Sequence, residues 1–126
     1  MPKKFSPTVL AIDSEAVADE IGERLRVLLA QQLRRRGLVV GVSGGIDSSV
    51  TLALAARALG PQRVLAIQMP ERHSASETLD LSALVADTFG VSRVHEDISH
   101  ILEAVGFYHR YDEAVRTVIP EYGKGW

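Results

Sequence analysis

The 126-residue sequence contains no cysteine. Disulfides, thiolate-bound metals and a cysteine nucleophile are therefore excluded within these residues. An excess of charge of one sign is also lacking: 14 Lys and Arg stand against 16 Asp and Glu, a formal net charge of -2. No bulk field draws such a chain to nucleic acid, and no nucleic-acid partner is expected. No stretch is long and apolar enough to span a membrane. The start, Met1-Pro2-Lys3-Lys4-Phe5, has charge but no apolar run behind it, so no secretory leader is read there. No internal repeat or low-complexity segment is visible. The expectation is a cytoplasmic protein that works on small molecules, away from membranes.

What is present is an ordinary globular composition, 46% apolar and 24% charged, with enough chain for one domain and a real core. Val17, Ile21, Leu25, Leu28, Leu29 and Leu33 recur at three- and four-residue spacings and predict a helix from Ser14 to Arg36. Asp13 or Ser14 is its cap, Arg34-Arg35-Arg36 complement its dipole, and Gly37 ends it. Leu38 to Val42 is apolar on both faces, as a buried parallel strand is. A glycine-rich turn follows, then a helix through Leu59 that Gly60-Pro61 stops. Arg63 to Gln68 reads as a second strand and Met69 to His73 as a loop. Ser74-Ala75-Ser76-Glu77 fits a capping box, opening a helix with Leu79, Ala83, Ala86 and Phe89 inward and Gly90 at its end. Arg93 to Ile98 is the third predicted strand. Ser99 caps a short helix to Val105, and a last helix runs from Asp112 to Ile119 before Pro120.

Strands that alternate with crossover helices predict an α/β fold: a parallel sheet with helices on both faces. Ligands of such sheets bind beyond the carboxyl ends of the strands, where the turn Ser43-Gly44-Gly45-Ile46-Asp47-Ser48-Ser49 falls. Paired glycines let the backbone approach a ligand closely. The first amides of the next helix have no helical partner and attract an anion. Ser43, Ser48 and Ser49 add hydroxyls. Asp47 beside a polyphosphate would be repelled without a cation between them, and magnesium binds carboxylate and phosphate oxygens together, which makes Asp47 the candidate metal ligand. A Walker loop is excluded, because no lysine follows Gly45. A dinucleotide-binding loop is excluded, because Ser43 stands where glycine is needed after Gly41.

Ser-Gly-Gly-Ile-Asp-Ser-Ser after a hydrophobic strand resembles the signature of the N-type ATP pyrophosphatases, the PP-loop superfamily of Rossmann-like adenine nucleotide hydrolases. Gly41-Val42 before the loop, the long helix ahead of it, Met69-Pro70 after the second strand, the Ser/Glu-rich start of the third helix and Asp97-Ile98 are most similar to the N-terminal half of NAD synthetases, over about Val17 to Ile98. The resemblance implies one ATP pyrophosphatase domain over residues 1–126, incomplete at its C-terminus. Trp126, a ring that favours burial, points the same way.

The same resemblance implies the chemistry. ATP and Mg2+ bind. Gly41, Val42, Ser43, Gly44, Gly45, Ile46, Asp47, Ser48 and Ser49 hold the phosphates, with Asp47 on the metal. Ile67, Gln68 and Met69 offer backbone groups to adenine, and Arg72 reaches phosphate or ribose. The carboxylate of deamido-NAD is adenylated with loss of pyrophosphate, and ammonia then displaces AMP to give NAD. Ammonia comes free or from a separate glutaminase, and the assembly is a homodimer. No catalytic side chain is assigned. His73 lies near Arg72 and reads as a solvated loop residue; His95, His100 and His109 show no metal-ligand spacing; and Tyr108, Tyr111 and Tyr122 read as packing residues, with a stacking surface for a base as the alternative. Two other readings stay open: another PP-loop enzyme, of the asparagine or GMP synthetase type or a sulfur-transferring or tRNA-modifying one, and a nucleotide-binding module without catalysis.

Overall fold

The computed structural model describes residues 6–123. The expectations placed on Met1-Pro2-Lys3-Lys4-Phe5 and on Trp126 lie outside the described residues.

Helix α1 spans Ser14–Val27. Asp13 caps it by accepting the Ala16 N–H at 3.1 Å, which satisfies one of the amides a helix start leaves unpaired. The helix continues as a π-helical turn, Leu28–Leu33, and ends at Arg34, whose φ of 51° is left-handed. The sequence assigned that ending to Gly37 and put the arginine run inside the helix; both expectations are corrected. Gly37 serves a different need: a Cβ there would collide with the Arg63 carbonyl.

Strands β1 (Leu38–Gly41), β2 (Val64–Gln68) and β3 (Ser92–His95) form a parallel sheet in the order β1-β2-β3. Leu38 pairs with Val64 and Leu65 with Ser92. The predicted strands were longer. Val42 lies past β1 yet donates its N–H to Ile67 O at 2.9 Å, and Glu96 lies past β3 yet donates to Gln68 O at 2.9 Å. The parallel α/β sheet expected from the order of elements is thus present.

The register puts Val40, Val64 and Ala66 on one face, and these join the core with Val42, Leu52, Ala55, Ala56, Ala86 and Val91. Helix α2 (Ile46–Leu59) brings Leu52, Ala55 and Ala56 to this core, and α3 (Ser76–Thr88) brings Ala86. Alanine lets a helix lie close to a sheet, and fully buried Leu52 contributes about 2 kcal/mol of apolar burial. On the other face Val39 is 65% exposed and Val94 41%. Helix α1 packs on α2 where Gly22 meets Ala58, and Arg26 Nη1 donates to Ala58 O at 3.1 Å. Arg57 of α2 pairs with Asp19 and Glu15 of α1, the Asp19 hydrogen bond raising its pKa further.

Helix α4 covers Ser99–Ala104 and α5 covers Phe107–Val118. Three terminus expectations are corrected. Ser74 makes no capping box: Ala75 holds the cap position of α3 with no side-chain bond, and the Ser74 hydroxyl accepts the Glu71 N–H at 2.9 Å. Ser99 is the first residue of α4, and the Asp97 carboxylate accepts its N–H at 2.8 Å. Helix α5 starts five residues earlier than expected, after Gly106 at a φ of 71°. Phe89 is also not inward; it is 40% exposed beside the groove between α2 and α3.

Candidate functional site

The parallel sheet sends its carboxyl ends toward two connections. The first, from β1 to α2, is the glycine-rich turn. Ser48 Oγ accepts the Ser43 N–H at 3.2 Å, lies 3.3 Å from Ser43 Oγ and donates to Gly45 O at 3.1 Å. Ser49 Oγ donates to the same carbonyl at 2.8 Å. The turn is braced by its own hydroxyls.

The two glycines have different duties. Gly44 has a φ of 78°, and a Cβ on it would come within 2.6 Å of Leu81 Cβ and 3.0 Å of Ser82 N. It allows the turn to touch α3. Gly45 has an ordinary φ of -71°, and an added Cβ would meet only Ser43 Oγ, at 3.4 Å. It keeps space open.

No side chain caps α2. The amides of Ile46, Asp47 and Ser48 have no partner among the described residues, while Ser49 N–H already donates to Gly45 O at 3.0 Å. Unpaired amides at a helix start are a ready anion site. Ile46 and Asp47 are exposed and Ser48 half-buried, so an anion has access. Asp47 brings one carboxylate, and no group of three or more His, Asp or Glu able to hold a metal occurs among the described residues. A cation beside Asp47 would need phosphate oxygens or water for the rest of its shell. That demand fits magnesium, which takes one or two carboxylates together with substrate phosphates.

The residues proposed for adenine divide. Gln68 is buried: its Nε2 donates to Ser82 Oγ at 2.6 Å and to Leu79 O at 3.1 Å, tying β2 to α3. Ile67 lies in register with Gly41 on the opposite face of the sheet. Ile67 O and Gln68 O are taken by Val42 and Glu96. Met69 reaches back over Gly41, 48% exposed, and no hydrogen bond among the described residues engages its main chain. A small cavity of about 100 Å³ joins the two connections, lined by Val42 and Ser43 on one side and by Met69, Pro70 and Ser74 on the other.

The second connection, Met69 to Ala75, holds what sequence reasoning missed. Tyr108, 3% exposed, comes from α5 to lie under Arg72, whose guanidinium carbon is 4.0 Å from the ring centroid. Arg72 also pairs with Glu103, so its charge is already engaged. The Tyr108 hydroxyl accepts the Arg72 N–H at 3.1 Å and donates to Glu71 Oε2 at 2.9 Å. His73 stands edge-on to Tyr108 and 5.4 Å from the Tyr111 ring. No local pattern announces a contact across 37 positions.

Comparison with known proteins adds a family. The NAD synthase family matches residues 17–120. The chain is 52% identical over 122 residues to the NH(3)-dependent NAD(+) synthetase of Rhizobium meliloti (strain 1021), covering 97% of this chain and 36% of that protein. The chain thus spans little more than a third of that relative's length. Among solved structures it resembles an NH3-dependent NAD synthetase from Campylobacter jejuni in complex with the nitrate ion (TM-score 0.70, 26% identity, 76% of this chain and 41% of the other). It also resembles a glutamine-dependent NAD+ synthetase from Acinetobacter baumannii in complex with ADP (TM-score 0.66, 26% identity, 98% of this chain and 21% of the other).

Proposed function

This chain belongs to the NAD synthase family, and from that premise we propose that it is the ATP-binding part of an amide-forming ligase that converts deamido-NAD to NAD. The observation that carries the reading is the uncapped start of α2, with the free amides of Ile46, Asp47 and Ser48 beside the Ser43 and Ser48 hydroxyls. The other pyrophosphatase classes weighed on the sequence give way to it, because the family match runs through residues 17–120.

In this reading the triphosphate of ATP lies over Gly45 with its charge on the α2 amides. A carboxylate oxygen of deamido-NAD attacks the α-phosphorus, the bond to the bridging oxygen breaks, and pyrophosphate leaves. Ammonia then attacks the acyl carbon, AMP departs with the electron pair of the C–O bond, and a proton is lost to solvent. The turn contributes positioning and electrostatic stabilisation of the leaving pyrophosphate. Magnesium, held by Asp47 and phosphate oxygens, would offset the charge that grows there. Adenine would be read by the main chain of Met69, whose groups make no hydrogen bond among the described residues. Residues 1–126 would act as one domain of a homodimer, with ammonia free or delivered by a glutaminase.

The natural protein containing this chain is the material for the test. Incubated with ATP, magnesium, ammonia and deamido-NAD, it is expected to release AMP, pyrophosphate and NAD together. Magnesium-dependent ATP binding without NAD formation would overturn the substrate. In Asp47→Ala, affinity for ATP measured by calorimetry is expected to lose its dependence on magnesium, a drop of about tenfold or more for one charge-bearing ligand. An unchanged magnesium dependence would remove Asp47 from the metal.

A further inference from the structure

A phenol buried at the face of a helix packs as well as phenylalanine does, so its hydroxyl calls for a reason. Both hydrogen bonds of the Tyr108 hydroxyl go to the β2–α3 connection: it accepts from the Arg72 amide and donates to the Glu71 carboxylate. Glu71 passes the constraint on. Its other oxygen accepts the His73 N–H at 2.9 Å, and its own N–H donates to Ser74 Oγ at 2.9 Å. One hydroxyl on α5 therefore organises Glu71 through Ser74. Pro70 and Ser74, at the two ends of that stretch, line the same cavity as Val42 and Ser43 of the glycine-rich turn.

We propose that Tyr108 is a positioning residue for the nucleotide: its hydroxyl, acting through Glu71, shapes the Pro70–Ser74 wall of the cavity before the nucleotide arrives. Tyr108 itself touches no substrate. The proposal rests on the nucleotide reading of the glycine-rich turn, and it assigns to α5 a part in binding that the turn alone does not supply. It is distinct from a packing role. The ring stays under Arg72 and against His73 whether or not the hydroxyl is present, so packing and positioning separate in one substitution.

Tyr108→Phe in the natural protein removes the two hydrogen bonds and keeps the ring. The expected result is faster amide exchange at Arg72 and His73, unchanged exchange at the core amides of Leu52 and Ala55, and Mg·ATP affinity lower by about tenfold, the equivalent of one or two lost hydrogen bonds. Glu71→Gln, which keeps a carbonyl acceptor for the phenol, is expected to retain most of the affinity, whereas Glu71→Ala is expected to match Tyr108→Phe. Adding Tyr108→Phe to Glu71→Ala should then cost little more, since one linkage is being removed twice. Faster exchange at Arg72 and His73 with unchanged Mg·ATP affinity would overturn the positioning role. Unchanged exchange would overturn the linkage itself. Absence of Mg·ATP binding in the unaltered protein would overturn the nucleotide reading, and this role with it.

Discussion

The two connections at the carboxyl edge of the sheet face each other across one small cavity and are built in opposite ways. In the β1–α2 turn no hydrogen bond among Ser43, Gly45, Ser48 and Ser49 reaches further than five positions along the chain. The β2–α3 connection has local bonds of its own, between Glu71 and Ser74 and between His73 and Glu71, but adds two from Tyr108, 36 and 37 positions away. The first is made of adjacent parts, with the amides of Ile46, Asp47 and Ser48 unpaired among the described residues. The second takes its shape from a helix that follows the third strand. An anion site can be encoded locally because its donors are main-chain amides in one turn of helix. A wall beside that site has no such repeating donor and borrows its rigidity from elsewhere.

Gly44 is where the local turn makes its one demand on a distant element, and changing it should have the largest effect. Gly44→Ala places a Cβ against Leu81 and the Ser82 amide at a left-handed φ. Backbone strain and forced separation from α3 together are expected to remove about 2–5 kcal/mol of stability, read by urea unfolding. A loss under about 1 kcal/mol would show that the turn does not depend on α3.

Gly45→Val comes next and sharpens the contrast. Its Cβ meets only Ser43 Oγ within 4 Å, so stability is expected to change by less than about 1 kcal/mol, while Mg·ATP affinity falls by about a hundredfold as the space over the amides is filled. Normal ATP binding by this variant, measured by calorimetry, would break the cradle model.

The smallest effect lies in the short turn after β3, which is local like the first. The Ser99 hydroxyl, and after it the Ser99 amide, lower the Asp97 pKa below its ordinary value. A carboxylate depressed in the folded state adds stability that is complete above its unfolded pKa and is lost as pH falls through the folded one. Protection of the Ser99 to Leu102 amides against exchange, taken relative to the intrinsic rate at the same pH, is therefore expected to fall on acidification below the ordinary carboxylate range. In Asp97→Asn that acid sensitivity should be lost; if it persists, another group carries it.

Legibility in the sequence follows the same division. The parallel α/β order could be read from apolar periodicity and glycine punctuation, and the glycine-rich turn between β1 and α2 from seven consecutive residues. Helix ends were misread wherever a side chain chose a distant or unexpected partner. Ser74 gave its oxygen to the Glu71 amide rather than to α3, and Gly37 answered to the Arg63 carbonyl, so the left-handed position fell to Arg34. The start of α5 was missed because Phe107, Tyr108 and His109 are weak helix formers on their own; Tyr108 is there to be buried. Gln68, whose main chain the resemblance offered to adenine, has its carbonyl bonded by the Glu96 N–H and its side chain bonded to Ser82.

What the sequence by itself determined is the strand-turn-helix with unpaired amides at the start of α2, because every group in it lies within a few residues of chain. Only the tertiary structure decided which glycine holds space and which allows contact, where Arg72 spends its charge, and that Tyr108 organises the facing wall. Those outcomes depend on which surfaces meet when α3 and α5 pack, and side chains far apart in sequence find their hydrogen-bond partners only when the elements that carry them are brought together.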